Sequence, residues 1–154
     1  MDILWQELSL GTADWQQFVR VSIRLITAAL LGAVIGFERE KAGKAAGLRT
    51  HILVTLGTCV FVLAGLGYGM NSDGLSRVIQ GIVTGIGFIG AGSILKLNTE
   101  RDIRGLTTSA GIWIAAAIGV AVGLGELGLA LLATFVTVIV LALVGKPDPT
   151  DEND

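Results

Sequence analysis

Four long stretches without a charged side chain govern what this chain can fold into. Residues 52–71, 78–95, 105–125 and 127–145 contain no Asp, Glu, Lys or Arg, and each is 18 to 21 residues long. An α-helix needs roughly 20 residues to cross a bilayer core of ~30 Å. A fifth apolar stretch, 21–37, is interrupted only by Arg24. A soluble domain of 154 residues has no interior large enough to hide five such helices. The expected fold is an all-α membrane protein, a bundle of five transmembrane helices. The spans fall near 19–37, 50–71, 78–96, 105–123 and 126–145, and together they make one membrane domain over 19–145. Residues 1–18 mix apolar and polar positions and include Trp5 and Trp15, which suits a short segment at headgroup level. Residues 146–154 are acidic and proline-containing, and a disordered tail is expected there.

Composition excludes several functions. The hydrophobic fraction is 52% and the charged fraction 16%, with a net charge of −2. That charge gives no reason to expect a nucleic-acid partner. Cys59 is the single cysteine, so no disulfide can form within the chain. His51 is the single histidine, and no neighbouring Cys completes a metal-ligand set around it. Ser93 and Ser109 have no His–Asp pairing in view. The glycine-rich segment 85–90 lies inside an uncharged run, where a dinucleotide site is not expected. No enzyme activity, cofactor or bound metal is expected.

Lysine and arginine alternate between the connecting segments. Arg39, Lys41, Lys44 and Arg49 mark the first linker, Lys96, Arg101 and Arg104 the third, and Lys146 the tail. The intervening loops carry only Arg77. By the positive-inside rule the N-terminus lies outside, and both basic linkers and the C-terminus lie in the cytoplasm.

Association between membrane helices depends on close backbone approach. Small residues at four-residue spacing mark candidate packing faces: Gly32 and Gly36, Gly81 and Gly85, and Gly111, Gly119 and Gly123. The last span lacks such a stripe and is expected to face lipid most. With so many packing faces on short helices, a homo-oligomer surrounded by membrane lipids is expected. An offset of 58 residues relates Gly32-Ala33 and Gly47-Leu48 to Gly90-Ala91 and Gly105-Leu106, which points to two hairpins in a parallel repeat.

Two sets of residues are functional candidates. Arg49, Thr50 and His51 open the second span, and Arg104, Thr107 and Thr108 open the fourth. Helix N-termini expose free N–H groups and a partial positive charge, so these residues form a candidate site for an anion or an acidic partner. Arg24, Glu38, Arg39, Glu40 and Gln80 are the second set, a candidate polar or charged network. Ionisable groups within spans usually turn toward the bundle or snorkel to the interface. Gln80, Thr84, Thr55 and Thr58 are the expected partners of Arg24.

Four blocks, in order, resemble the MgtC/SapB membrane protein family. They are Glu38-Arg39-Glu40; Ala46-Gly47-Leu48-Arg49-Thr50-His51; residues 85–92; and Gly105-Leu106-Thr107-Thr108 with Trp113 and residues 115–119. The resemblance extends over residues 20 to 145. It implies a multi-pass protein of the bacterial inner (cytoplasmic) membrane, connected with magnesium limitation and stress adaptation. It further implies binding or regulation of a membrane partner such as an ion-motive ATPase or ATP synthase. The alternative is a small transporter or channel for magnesium or another ion. Close relatives of MgtC append a cytosolic C-terminal domain, whereas this chain stops eight residues after Lys146. It is identified as a short form.

Overall fold

The computed structural model describes residues 15–96 and 103–143. Most of the expected interfacial segment, the middle of the third linker and the acidic tail lie outside the described residues. Among the described residues five helices follow one another: α1 (Trp15–Lys41), α2 (Leu48–Gly67), α3 (Ser72–Gly92), α4 (Leu106–Leu124) and α5 (Leu127–Leu143). Helices α1 to α4 are each long and apolar enough to cross a membrane. Helix α5 is apolar over 17 residues. The third linker adds a feature not anticipated from its charges. Strands β1 (Leu95–Lys96) and β2 (Ile103–Arg104) pair antiparallel, with Leu95 opposite Arg104.

Backbone chemistry sets the helix limits. Helix α2 stops at Gly67 although the uncharged run continues to Asn71. The amide of Met70 returns to the Gly65 carbonyl (3.1 Å) and that of Gly69 to Leu66 (3.0 Å), the paired bonds that close a helix through a left-handed residue. Asn71 then caps α3 by accepting from the Gly74 amide at 2.9 Å. Before α4, Gly105 has φ of 92°. A side chain there would also run into the Ser93 carbonyl and lie 3.2 Å from Ile94 Cα. Only glycine suits that corner.

Helix α2 is the centre of the bundle, with α1 antiparallel on one side and α4 parallel on the other. Both contacts are made through glycine. A Cβ on Gly36 would stand 2.7 Å from Leu48 Cα, and one on Gly32 2.7 Å from the His51 carbonyl oxygen. On α4, a Cβ on Gly119 would reach to 2.9 Å from Thr55 Cα, and one on Gly123 to 2.7 Å from Val62 Cβ. These backbones approach as closely as small residues permit. Buried Ala28, Leu31, Ile35, Cys59, Ile118 and Val122 fill the space between the three helices.

Two packing expectations need correction. Gly81 and Gly85 do not pack within the chain, since a Cβ at either would meet no atom within 4 Å. The span with least cover is α3 rather than α5. Only Ile86 and Gly90 of α3 are buried, whereas α5 buries Ala130, Thr134, Thr137 and Leu141. The α5 stripe is made of Ala and Thr, so glycine spacing did not reveal it. Its threonines lose their polarity to their own helix: Thr134 Oγ1 donates to the Ala130 carbonyl at 2.8 Å, and Thr137 Oγ1 to Ala133 at 2.7 Å. Such a helix can present a small-residue face without leaving a hydroxyl bare in hydrocarbon.

Candidate functional site

The end of the bundle that carries the first linker concentrates the charged residues. Arg39 is 3% exposed, at the end of α1. Its Nε donates to Glu38 Oε2 and its Nη2 to Glu38 Oε1 at 2.7 Å. Nη2 also donates to the Leu141 carbonyl of α5 at 3.2 Å. A planar guanidinium can hold a carboxylate and a carbonyl together in this way; an ammonium cannot match it. Glu40 acts separately. Its Oε2 accepts from the Leu48 amide at 2.9 Å and so satisfies one free donor at the start of α2. Three consecutive residues therefore tie α1 to α5 and to α2.

Arg24 and Gln80 do not join this cluster. Arg24 lies toward the opposite end of α1, and its Nη1 donates to the Gly123 carbonyl at 2.8 Å. None of the expected partners on α2 and α3 receives it. Gly123 belongs to the last turn of α4, where carbonyls lack helical partners. The Ala121 and Val122 carbonyls accept from Glu126 and Gly125, and Arg24 supplies the next. Gln80 is exposed on α3.

The candidate anion residues are brought to the same end of the bundle but differ in access. Arg49, Arg104 and Thr107 are exposed, Thr50 is half-buried, and His51 and Thr108 are buried. His51 has no exposed surface. Its Nδ1 faces the Gly47 carbonyl at 2.9 Å, so Nδ1 carries the hydrogen in the neutral ring and Nε2 is the acceptor. Nε2 is buried without a hydrogen-bond partner, and a Cβ on Gly111 would lie 3.5 Å from it. That places His51 inside the α2–α4 contact rather than at an open anion site. Among the described residues, no group of three His, Cys, Asp or Glu could hold a metal ion.

Sequence reasoning missed a groove between α2 and α3. Its volume is about 740 Å³, within the ~300–1,000 Å³ range of ligand pockets. Leu53, Gly57 and Phe61 line one wall, and Val78, Gly81 and Gly85 the other. The available signal was the glycine content of α3. Gly81, Gly85 and Gly57 are open rather than packed, so the α2–α3 contact is thin.

A family model described as the MgtC family matches residues 25–148. SrpB of Synechococcus elongatus is 41% identical over 144 residues, covering 86% of this chain and 78% of that protein. YhiD of Escherichia coli strain K12, whose name assigns it magnesium transport provisionally, is 45% identical over 127 residues, 77% of this chain. MgtC of Salmonella typhimurium strain LT2 is 45% identical over 114 residues, 74% of this chain. The match covers 58% of YhiD and 48% of MgtC, so the chain spans about half the length of these two relatives. No solved structure matches the chain significantly.

Proposed function

The chain belongs to the MgtC family, and on that premise we propose that it is a non-enzymatic protein of the bacterial inner membrane that binds or regulates a membrane partner during magnesium limitation. The partner is an ion-motive ATPase, an ATP synthase or a similar membrane protein, engaged by a homo-oligomer of this chain. The observation that supports this reading over transport is the commitment of the two carboxylates at the end of α1, Glu38 and Glu40. Glu38 is taken by Arg39 and Glu40 by the Leu48 amide. A path for a hard divalent cation calls for oxygen ligands that can turn toward the ion, and here both carboxylates hold helices in place. The name of YhiD supports the connection with magnesium without bringing transport to this chain.

Magnesium entry into liposomes that contain only this protein tests the reading. Entry no faster than in protein-free liposomes is expected, together with restored growth in low magnesium when the gene is returned to a deletion strain. Saturable magnesium entry, abolished by Glu38→Gln, would replace regulation with transport.

The proposed orientation places the basic end in the cytoplasm, on the strength of the loop charges. In a Cys59→Ser background, Asp73→Cys is expected to react with an impermeant outside reagent and Lys44→Cys to be protected. The reverse pattern would invert the topology.

A further inference from the structure

The groove between α2 and α3 has one closed end and one basic end. It runs along α2 from Thr50 to Phe61 and along α3 from Ile89 back to Val78. At 1.5 Å per residue each wall is about 17 Å long, close to the ~15 Å half-thickness of a bilayer core. Past Phe61 the two helices close. A Cβ on Gly65 would stand 3.4 Å from Leu75 Cδ1 and 3.9 Å from Val78 Cγ2. The slot therefore ends short of the far ends of both helices and opens at the start of α2.

That mouth is cationic. Arg49 sits one helical turn before Leu53 and two before Gly57, so it heads a row that lines the groove. It is exposed and has no hydrogen-bond or ion-pair partner among the described residues. Thr50 heads the adjoining row of Val54 and Thr58, and it lines the groove itself. The Thr55 and Thr58 hydroxyls each return to their own helix, to His51 at 3.0 Å and Val54 at 2.9 Å. The Thr50 hydroxyl has no such bond among the described residues. Away from the mouth, the walls are aliphatic and aromatic side chains, three open glycines and Thr58, whose hydroxyl is taken by its own helix.

We propose that this groove binds an anionic phospholipid of the leaflet that holds the start of α2, with one acyl chain in the slot and the phosphate at Arg49 and Thr50. A slot about 17 Å long, closed at one end, matches the reach of an acyl chain. A transmembrane helix from a partner or a second copy would bring no phosphate to the basic mouth at Arg49 and Thr50. The basic row headed by Arg49 at the mouth complements a phosphate, and the glycines deepen the slot where the methylenes lie. The inference stands apart from the regulatory reading and holds whichever way the chain is oriented.

Native mass spectrometry of protein purified in mild detergent tests it, with phosphatidylglycerol and phosphatidylcholine added in turn. The wild type is expected to retain one phosphatidylglycerol per chain, about fivefold more tightly than phosphatidylcholine, as one basic residue at an anionic surface allows. Arg49→Gln is expected to remove that preference. Gly57→Leu/Gly81→Leu fills space that is open in the structure and is expected to lower retention of both lipids at least tenfold. Gly87→Leu, also open but off the groove, is expected to behave as wild type. Phosphatidylglycerol with a photoreactive acyl chain should crosslink the wild type at groove residues, which covers the case of a double variant that does not fold. Undiminished lipid in a folded double variant, equal retention of the two headgroups, or crosslinks confined to α5 would overturn the proposal. So would a wild-type dimer that disperses when the groove is filled, since a second copy would then be the occupant.

Discussion

Gly119→Leu is expected to lower the thermal stability of the purified bundle more than any other single glycine substitution on α4. A Cβ at this position would run into the Thr58 hydroxyl and the Thr55 carbonyl and lie 2.9 Å from Thr55 Cα. Two of those three atoms are backbone, so they cannot swing away as the tip of a flexible side chain could. Extra methylenes in a filled core cost about 1–3 kcal/mol. Leucine here adds four carbons against main chain, so a cost at the top of that range is expected. Gly119→Ala is expected nearer the bottom. The check is thermal unfolding in detergent, with Gly87→Leu as the control because no atom lies within 4 Å of its Cβ position. Equal midpoints for Gly119→Leu and Gly87→Leu would show that α2 and α4 separate readily.

The second large effect is expected at Arg39. Replacing it with methionine keeps much of the side-chain volume but leaves Glu38, whose side chain is 19% exposed, without its counter-charge. It also leaves the Leu141 carbonyl without a donor. Removing one member of a buried pair typically costs about 3–5 kcal/mol, and the partial exposure of Glu38 places this case at the lower end. Arg39→Lys is expected to recover only part of the loss, since one ammonium cannot reproduce the fork that spans two partners. Glu38→Gln/Arg39→Met is expected to be more stable than Arg39→Met alone, because no uncompensated charge remains. Unfolding midpoints of the three variants decide it. A double variant no more stable than Arg39→Met would place the loss in the bond to α5 rather than in the ion pair.

How much was legible in the sequence depended on whether one local property was enough. The four uncharged runs and the stretch broken by Arg24 marked each described helix, because the middle of a span must be apolar. Gly32, Gly36, Gly119 and Gly123 were readable as contact positions, because only a missing side chain permits their approach. The same spacing misled at Gly81 and Gly85, where the glycines face a groove. Spacing describes a face of one helix and carries nothing about whether a second helix covers it. The buried face of α5 went unseen because threonine looks polar until its hydroxyl bonds its own helix. The charged cluster was legible as a set of residues near one membrane edge, but its division of labour was not. Glu38 and Glu40 are two residues apart, yet one holds an arginine and the other a helix N-terminus. That difference comes from where α2 and α5 end in space. Arg24 is a similar case, since its partner Gly123 has no side chain that could have announced it.

The bond from Arg39 to Leu141 joins residues 102 positions apart, and this has a bearing on biogenesis. Ribosomes add about 5–20 residues per second, so α1 waits on the order of 5–20 s in the membrane before α5 can follow. During that interval the Arg39 guanidinium already has Glu38 beside it in the chain and is never a lone charge in the bilayer. The neighbouring glutamate keeps Arg39 paired while α1 stands alone, and the arrival of α5 then adds its last acceptor. At this end of α1, the insertion machinery can thus release the helix early without leaving Arg39 bare. Completion of the bundle is recorded at one residue, where a chain missing its last helix would leave a guanidinium donor unfilled.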